Sequence, residues 1–313
     1  MDLLADFYAG RIRALSKIIS RVENERDGYK DLLARLYGDG GRAVRIGITG
    51  PPGAGKSTLV NGLVHQFLAQ EKRVGIVAVD PTSPFTGGAL LGDRVRMNEF
   101  PTDGSVFFRS MATRGHSGGL SGATSNVSVV LDAFGYDVVM IETVGVGQVE
   151  LDVIDNCDVV VVVLVPESGD AVQTMKAGLM EIAHVFAINK ADRPGAEELQ
   201  YDLRRTLELR RRQEGDWQIP VLQTQAISRG GVEALFDTIG EYLDFSCERG
   251  LFQHQRRRQL HKMLLNLLSH RFRSEFMHRV SQEMDFEQLL DEIIARRANP
   301  YEVGEQLFAR FSS

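Results

Sequence analysis

Eight residues, Gly50 to Ser57 (GPPGAGKS), constrain this chain more than any other stretch. They fit the pattern G-x-x-x-x-G-K-[ST], follow the apolar run VRIGIT and open a helix-like segment. A backbone cradle for phosphates needs that context. A strand delivers the loop, glycines let N–H groups close around an anion, and the helix amino terminus favours negative charge. Gly53 and Gly55 supply the backbone freedom, within a loop completed by Gly50, Pro51, Pro52 and Ala54. Lys56 is spaced to reach β and γ oxygens, Ser57 to offer its hydroxyl to Mg²⁺, and Thr58 to add a donor at the helix start.

The rest of the chain agrees with a strand-loop-helix core. From Val44 onward, short β-branched runs alternate with helix-like stretches: VRIGIT, RVGIVAVD, SVFF, DVVMIET, DVVVVVLV, HVFAINK and IPVLQTQA. Continuous apolar strands alternating with helices predict an α/β fold of the P-loop NTPase kind, with a mainly parallel sheet covered on both faces. Residues 1 to about 40 carry Leu4, Phe7, Tyr8, Ile12, Leu15, Ile18 and Ile19 at helical spacing, followed by a second short run ending in YGDGGR, so two helices precede the core. After about residue 244 no strand signal remains. There Leu260, Leu264, Leu267, Leu268, Phe272, Met277 and Val280 form one helical stripe, which suits either a helix packed on its own domain or a dimerisation arm. The expected division is a helical extension over 1–42, a nucleotide-binding domain over 43–243 and a helical arm over 244–313.

The sequence NKAD, Asn189 to Asp192, closes the run HVFAINK. The Asp192 carboxylate is suited to accept hydrogen bonds from guanine N1–H and its exocyclic amine, which adenine cannot offer in that arrangement. Asn189, Lys190 and Asp192 therefore select GTP over ATP. At the next strand end, QTQAIS brings the backbone of Gln225, Ala226 and Ile227 towards the base, with Gln225 where GTPases more often have serine.

Glu142 ends a buried strand and runs into a loop with Gly145 and Gly147, where a carboxylate can hold Mg²⁺ directly or through water. Asp80 ends the second strand and is a candidate to position the attacking water or a metal-bound water. Asp93, in the long segment after it, is a candidate to approach the metal. Lys56, Asp80 and Glu142 are thus the catalytic candidates, and Ser57, Asp80, Asp93 and Glu142 the metal candidates. Arg94, Arg96, Arg109 and Arg114 are candidates for neutralising phosphate charge, although salt bridges elsewhere suit each equally well. The sequence identifies no arginine finger, which predicts slow intrinsic turnover.

A net charge of -6 gives no footprint for nucleic acid or an anionic membrane surface. Cys157 and Cys247 lack metal-ligand spacing and fit a reducing compartment. The amino terminus lacks a secretory apolar region and the run Val159 to Val165 is too short to span a bilayer, so a cytoplasmic location is expected.

Across residues 44 to 200 the chain resembles the MeaB/MMAA/ArgK family of GTPases. The resemblance is carried, in one order, by GPPGAGKSTL, VDPTSPFTGGALLGDRVRM, ATRGHSGGL, IETVGVGQVE, ESGDAVQTMKAGLMEIA and NKADRPGAE, with ARRANPYEVGEQL further on. It implies a GTP-hydrolysing chaperone that gates cofactor loading, protection or exchange on an adenosylcobalamin-dependent acyl-CoA mutase such as methylmalonyl-CoA mutase. It further implies a homodimer formed through the carboxyl-terminal arm, a cobalamin adenosyltransferase as a second partner, and switch segments at Asp80 to Met97, Glu142 to Gln148 and Pro166 to Lys176. Two other classes compete. Metal-delivering GTPases usually carry Cys- or His-rich clusters, whereas His65 and His116 stand alone. An ATP-dependent kinase of a transport protein is opposed by the NKAD carboxylate.

Overall fold

The computed structural model describes residues 2–80, 100–112, 119–143, 145, 151, 152, 154, 156–166, 178–209, 215–283 and 286–311. Their Cα positions fall into two compact units, 1–259 and 260–313.

In the first unit the apolar runs become seven strands: β1 (Val44–Thr49), β2 (Val74–Asp80), β3 (Val106–Ala112), β4 (Val138–Thr143), β5 (Val159–Leu164), β6 (Val185–Ile188) and β7 (Val221–Gln223). They form one sheet in the order β3-β2-β4-β1-β5-β6-β7, and each adjacent pair is parallel. Every residue of β4 and β5 is buried, which is why these strands read as unbroken apolar runs rather than alternating ones.

The helices that cover the sheet do so through stripes. On one face α1 (Leu3–Tyr8), α2 (Ile12–Glu23), α3 (Tyr29–Leu36) and the later α5 (Gly119–Ala133) join a single apolar cluster with strand residues such as Val77, Val139 and Val160. Leu15, Ile18, Ile19 and Val22 stand at i, i+3, i+4 and i+7, and all four are fully buried. Burying each stabilises the fold by roughly 1.5–3 kcal/mol before chain entropy is counted. On the other face α4 (Lys56–Ala69) and α8 (Val232–Glu248) cover Ile46, Ile48, Val161 and Val163. α6 (Leu179–Ile182) and α7 (Ala196–Glu208) lead into and out of β6.

The run expected to be one amino-terminal helix is two, because Gly10 takes a φ of 73° and turns the chain between α1 and α2. The passage from these helices into β1 is fixed by Asp132, whose carboxylate accepts from the backbone N–H of Gly41 (2.6 Å), Arg42 (3.2 Å) and Ala43 (3.0 Å).

The amino-terminal edge of the sheet is closed by buried charge. Asp158, 2% exposed, accepts from the Arg45 backbone N–H (2.8 Å), from the Arg45 guanidinium (2.8 Å) and from Arg256 at both oxygens (3.0 and 2.8 Å). Burial alone would raise its pKa, but the Arg256 and Arg45 contacts outweigh that and hold the carboxyl below its usual range. Arg256 lies on α9 (Leu251–Glu283), as do Gln255 and Gln259, whose amides both donate to the Cys157 carbonyl (2.7 and 2.9 Å).

Helix α9 continues into the second unit, where α10 (Phe286–Ile294) and α11 (Pro300–Phe311) follow. Along the predicted stripe Val280 is buried, but Leu260, Leu264, Leu267, Leu268, Phe272 and Met277 are all exposed. No helix among the described residues is long and apolar enough to cross a membrane.

Candidate functional site

Strand order places β1 between β4 and β5, and the connection from β1 through α4 returns to β2 beyond β4. The crevice outside the carboxyl ends of β1 and its neighbours is therefore the topological switch point, where ligands bind in open parallel sheets. The loop that leaves β1 there is the Gly50–Ser57 segment.

Two of its glycines are required by contact as well as by conformation. Gly50 has a φ of 147°, and a Cβ on it would run into the Val163 carbonyl of β5. Gly55 has a φ of 85°, and a Cβ there would meet the Asn189 amide. Lys56, the first residue of α4, is buried and folds back over the loop to donate from Nζ to the carbonyls of Gly50 (2.8 Å) and Pro51 (2.9 Å). Its charge is thus already held at the loop, so binding an anion there needs little reorganisation. Thr58 follows on the exposed side of the helix start.

Ser57 Oγ donates to Glu142 Oε1 in a short hydrogen bond, joining the helix start to the end of β4. A hydroxyl and a buried carboxylate side by side are hard oxygen donors of the kind Mg²⁺ takes. Behind them lie two residues that inspection of the sequence passed over, Thr49 and Thr143, the last residues of adjacent strands. The Thr143 hydroxyl donates to Thr49 Oγ1 (2.9 Å), and Thr49 donates to the Gly145 carbonyl (3.0 Å). A threonine closing each of two neighbouring buried strands was the available signal.

Asn189 is a bridge between the two halves of the crevice. Its Nδ2 donates to the Ala54 carbonyl (2.8 Å), and its Oδ1 accepts from the Ala226 backbone N–H (3.0 Å) and the Thr224 hydroxyl (3.3 Å). The Ala226 N–H, expected to face a base, is therefore used within the protein, as a buried donor must be. The same holds for Gln225, whose backbone exchanges hydrogen bonds with Gly230 (2.8 and 3.2 Å) and whose side chain accepts from Ser228 (3.2 Å). Lys190 takes a left-handed φ of 58°, Asp192 is exposed, and Ile227 is 92% exposed. The phosphate loop, Ser57, Glu142 and Asn189 thus form one connected group, with Asp192 and Ile227 at the surface of the loops that carry the base motif.

The remaining candidates divide. Asp80 closes β2 in register with Ala112, but its side chain, together with Asp93, Arg94, Arg96, Arg114, His116 and the segment 167–177, lies outside the described residues. Arg109 does not serve the crevice: its guanidinium pairs with the buried Glu23 of α2 (3.0 Å from Nε). His65 sits near Phe100, with ring centroids 6.0 Å apart.

Residues 13–283 match the profile of the family described as "Methylmalonyl Co-A mutase-associated GTPase MeaB". The chain belongs to the MeaB family. A Pyrococcus abyssi protein described as a GTPase is 42% identical over 308 residues, covering 98% of this chain and 95% of its own length. The "Methylmalonic aciduria type A homolog, mitochondrial" of Mus musculus is 32% identical over 272 residues, covering 86% of this chain and 66% of its own. In the solved structure of a "LAO/AO transport system kinase" the same fold recurs, with a TM-score of 0.72, 24% identity and coverage of 100% of this chain and 97% of that one. As a MeaB-family protein the chain is a GTPase that binds GTP and GDP.

Proposed function

We propose that GTP binding and hydrolysis at this crevice gate cofactor loading, protection or exchange on an adenosylcobalamin-dependent acyl-CoA mutase such as methylmalonyl-CoA mutase. The observation that carries this reading is the match of residues 13–283 to a family described by its association with that mutase. In the chain itself, Lys56 and the loop N–H groups hold the phosphates, and Asp192 reads the guanine edge. Asn189 keeps the phosphate end and the base end at a fixed separation. Ser57 and Glu142 would hold Mg²⁺, with Asp80 and Asp93 as further candidates, and the ion would neutralise charge on the phosphates.

A second copy of the chain is proposed to cover the apolar stripe of α9. Leu264, Leu267, Leu268 and Phe272 are each half or more exposed at helical spacing, and contiguous exposed apolar surface is the mark of an interaction face. A cobalamin adenosyltransferase as a second partner, a cytoplasmic location and a domain division near residues 43 and 244 belong to the same proposal.

The test is co-purification with candidate mutases in GTP and in GDP, with hydrolysis measured on the complex. Retention that depends on the nucleotide, together with a raised rate, is expected. Nucleotide-independent retention with no change in rate would contradict gating and reopen metal delivery or transport-linked phosphorylation.

A further inference from the structure

From this geometry we infer that Thr49 and Thr143 are positioning residues for GTP hydrolysis, acting through the Gly145 peptide. The inference rests on the GTPase activity alone and is independent of any client. Thr49 directly precedes Gly50, whose carbonyl receives Lys56 Nζ at 2.8 Å. Thr143 directly follows Glu142, which receives the Ser57 hydroxyl. The two threonine hydroxyls thus lie between the strand that delivers the phosphate loop and the strand that delivers the carboxylate. Both side chains are fully buried.

Their protons run in one direction. Thr143 donates to Thr49 (2.9 Å), and Thr49 donates to the Gly145 carbonyl (3.0 Å), the first described acceptor beyond β4. The Gly145 carbonyl is therefore held against Thr49, the root of the phosphate loop. A glycine has no side chain to fix that placement, so the hydroxyls do it. Thr143 Oγ1 also stands 3.2 Å from the same carbonyl, so it can take over the donation when Thr49 cannot make it. That redundancy sets the expected pattern.

Thr49→Val keeps the shape and removes the donor. It is expected to lower kcat for GTP hydrolysis roughly fivefold, the value of one buried hydrogen bond partly replaced by Thr143. Adding Thr143→Val removes the substitute, and kcat should fall by roughly 10- to 100-fold, as for a misplaced reacting group. GDP affinity should hold in both, because the bonds of the two hydroxyls run to each other and to Gly145 and not to the phosphate-loop carbonyls that Lys56 holds, and Thr49→Ser should restore kcat. If Thr49→Val does not fold, Thr143→Val in the Thr49→Ser background carries the test: the serine hydroxyl still donates to the Gly145 carbonyl, so kcat should stay within roughly fivefold of the Thr49→Ser protein, and a larger fall overturns the inference. An unchanged kcat in the double variant overturns the inference. So does a loss of GDP affinity in step with kcat, or a failure of Thr49→Ser to restore it.

Discussion

The two edges of the sheet bury polar groups for opposite ends. At the amino-terminal edge, Asp158 is saturated by Arg45 and Arg256, and the partners are side chains fixed by β1 and α9. At the carboxyl edge, Lys56, Thr49 and Asn189 each bond to loop backbone: Gly50 and Pro51, Gly145, and Ala54. A saturated carboxylate between two guanidiniums has nothing to offer a ligand, and removing one member strands a charge. A lysine held by carbonyls can exchange them for phosphate oxygens at little cost. The first arrangement specifies structure; the second suits the proposed nucleotide site.

Separate effects on stability and chemistry would sharpen that contrast. Asp158→Ala should cost about 3–5 kcal/mol of unfolding free energy, read by denaturant titration, because two partly buried guanidiniums lose the buried carboxylate that neutralises them. A variant as stable as the parent would break the comparison at its first edge. Lys56→Ala should cost only about 1–2 kcal/mol of unfolding free energy, for the loop carbonyls it leaves, while removing about 3–4 kcal/mol of transition-state stabilisation, at least a hundredfold in single-turnover hydrolysis. Equal loss in both assays would erase the distinction.

A smaller effect separates the amino-terminal edge by pH. His184 accepts the Val160 backbone N–H on Nδ1 (2.9 Å) and stacks on Tyr242 with centroids 4.2 Å apart. Burial, with Arg258 acting in the same sense against Asp158, pushes its pKa down from 6.5 to about 4. Between those values the unfolded chain binds the extra proton, so stability present above pH 6.5 falls as pH drops towards about 4, by about 3 kcal/mol in all. The Asp158 contribution is lost only below the ordinary carboxylate range, outside this window. His184→Asn, which can still accept from Val160, should flatten the slope between pH 6.5 and 4. An unaltered slope would mean that another group carries it.

Much of this was legible in the chain because parallel strands and the phosphate loop are local patterns. Val159 to Leu164 could be nothing but a buried strand, and GPPGAGKS fixed both the end of β1 and the start of α4. Pairings across long separations were not legible. Arg109, a plausible phosphate ligand by type, is claimed by Glu23 some 86 residues away. Asn189 reads as a base ligand in NKAD, yet its hydrogen bonds tie Ala54 to Ala226, contacts that exist only once β1, β6 and β7 are aligned. Asp158 could have been singled out, since a carboxylate at the mouth of an all-apolar strand must find a partner. Its partner Arg256 lies 98 residues on, in a helix whose polar face gave no hint of which arginine would turn inward.

The central claim is that one crevice grips the phosphates through Lys56 and reads guanine through Asp192. Competition of labelled GTP against excess ATP, run on the parent and on Asp192→Asn, tests it most directly. The account predicts that the parent keeps GTP and that the variant loses its preference for guanine with its fold intact. A variant that discriminates as sharply as the parent would contradict it.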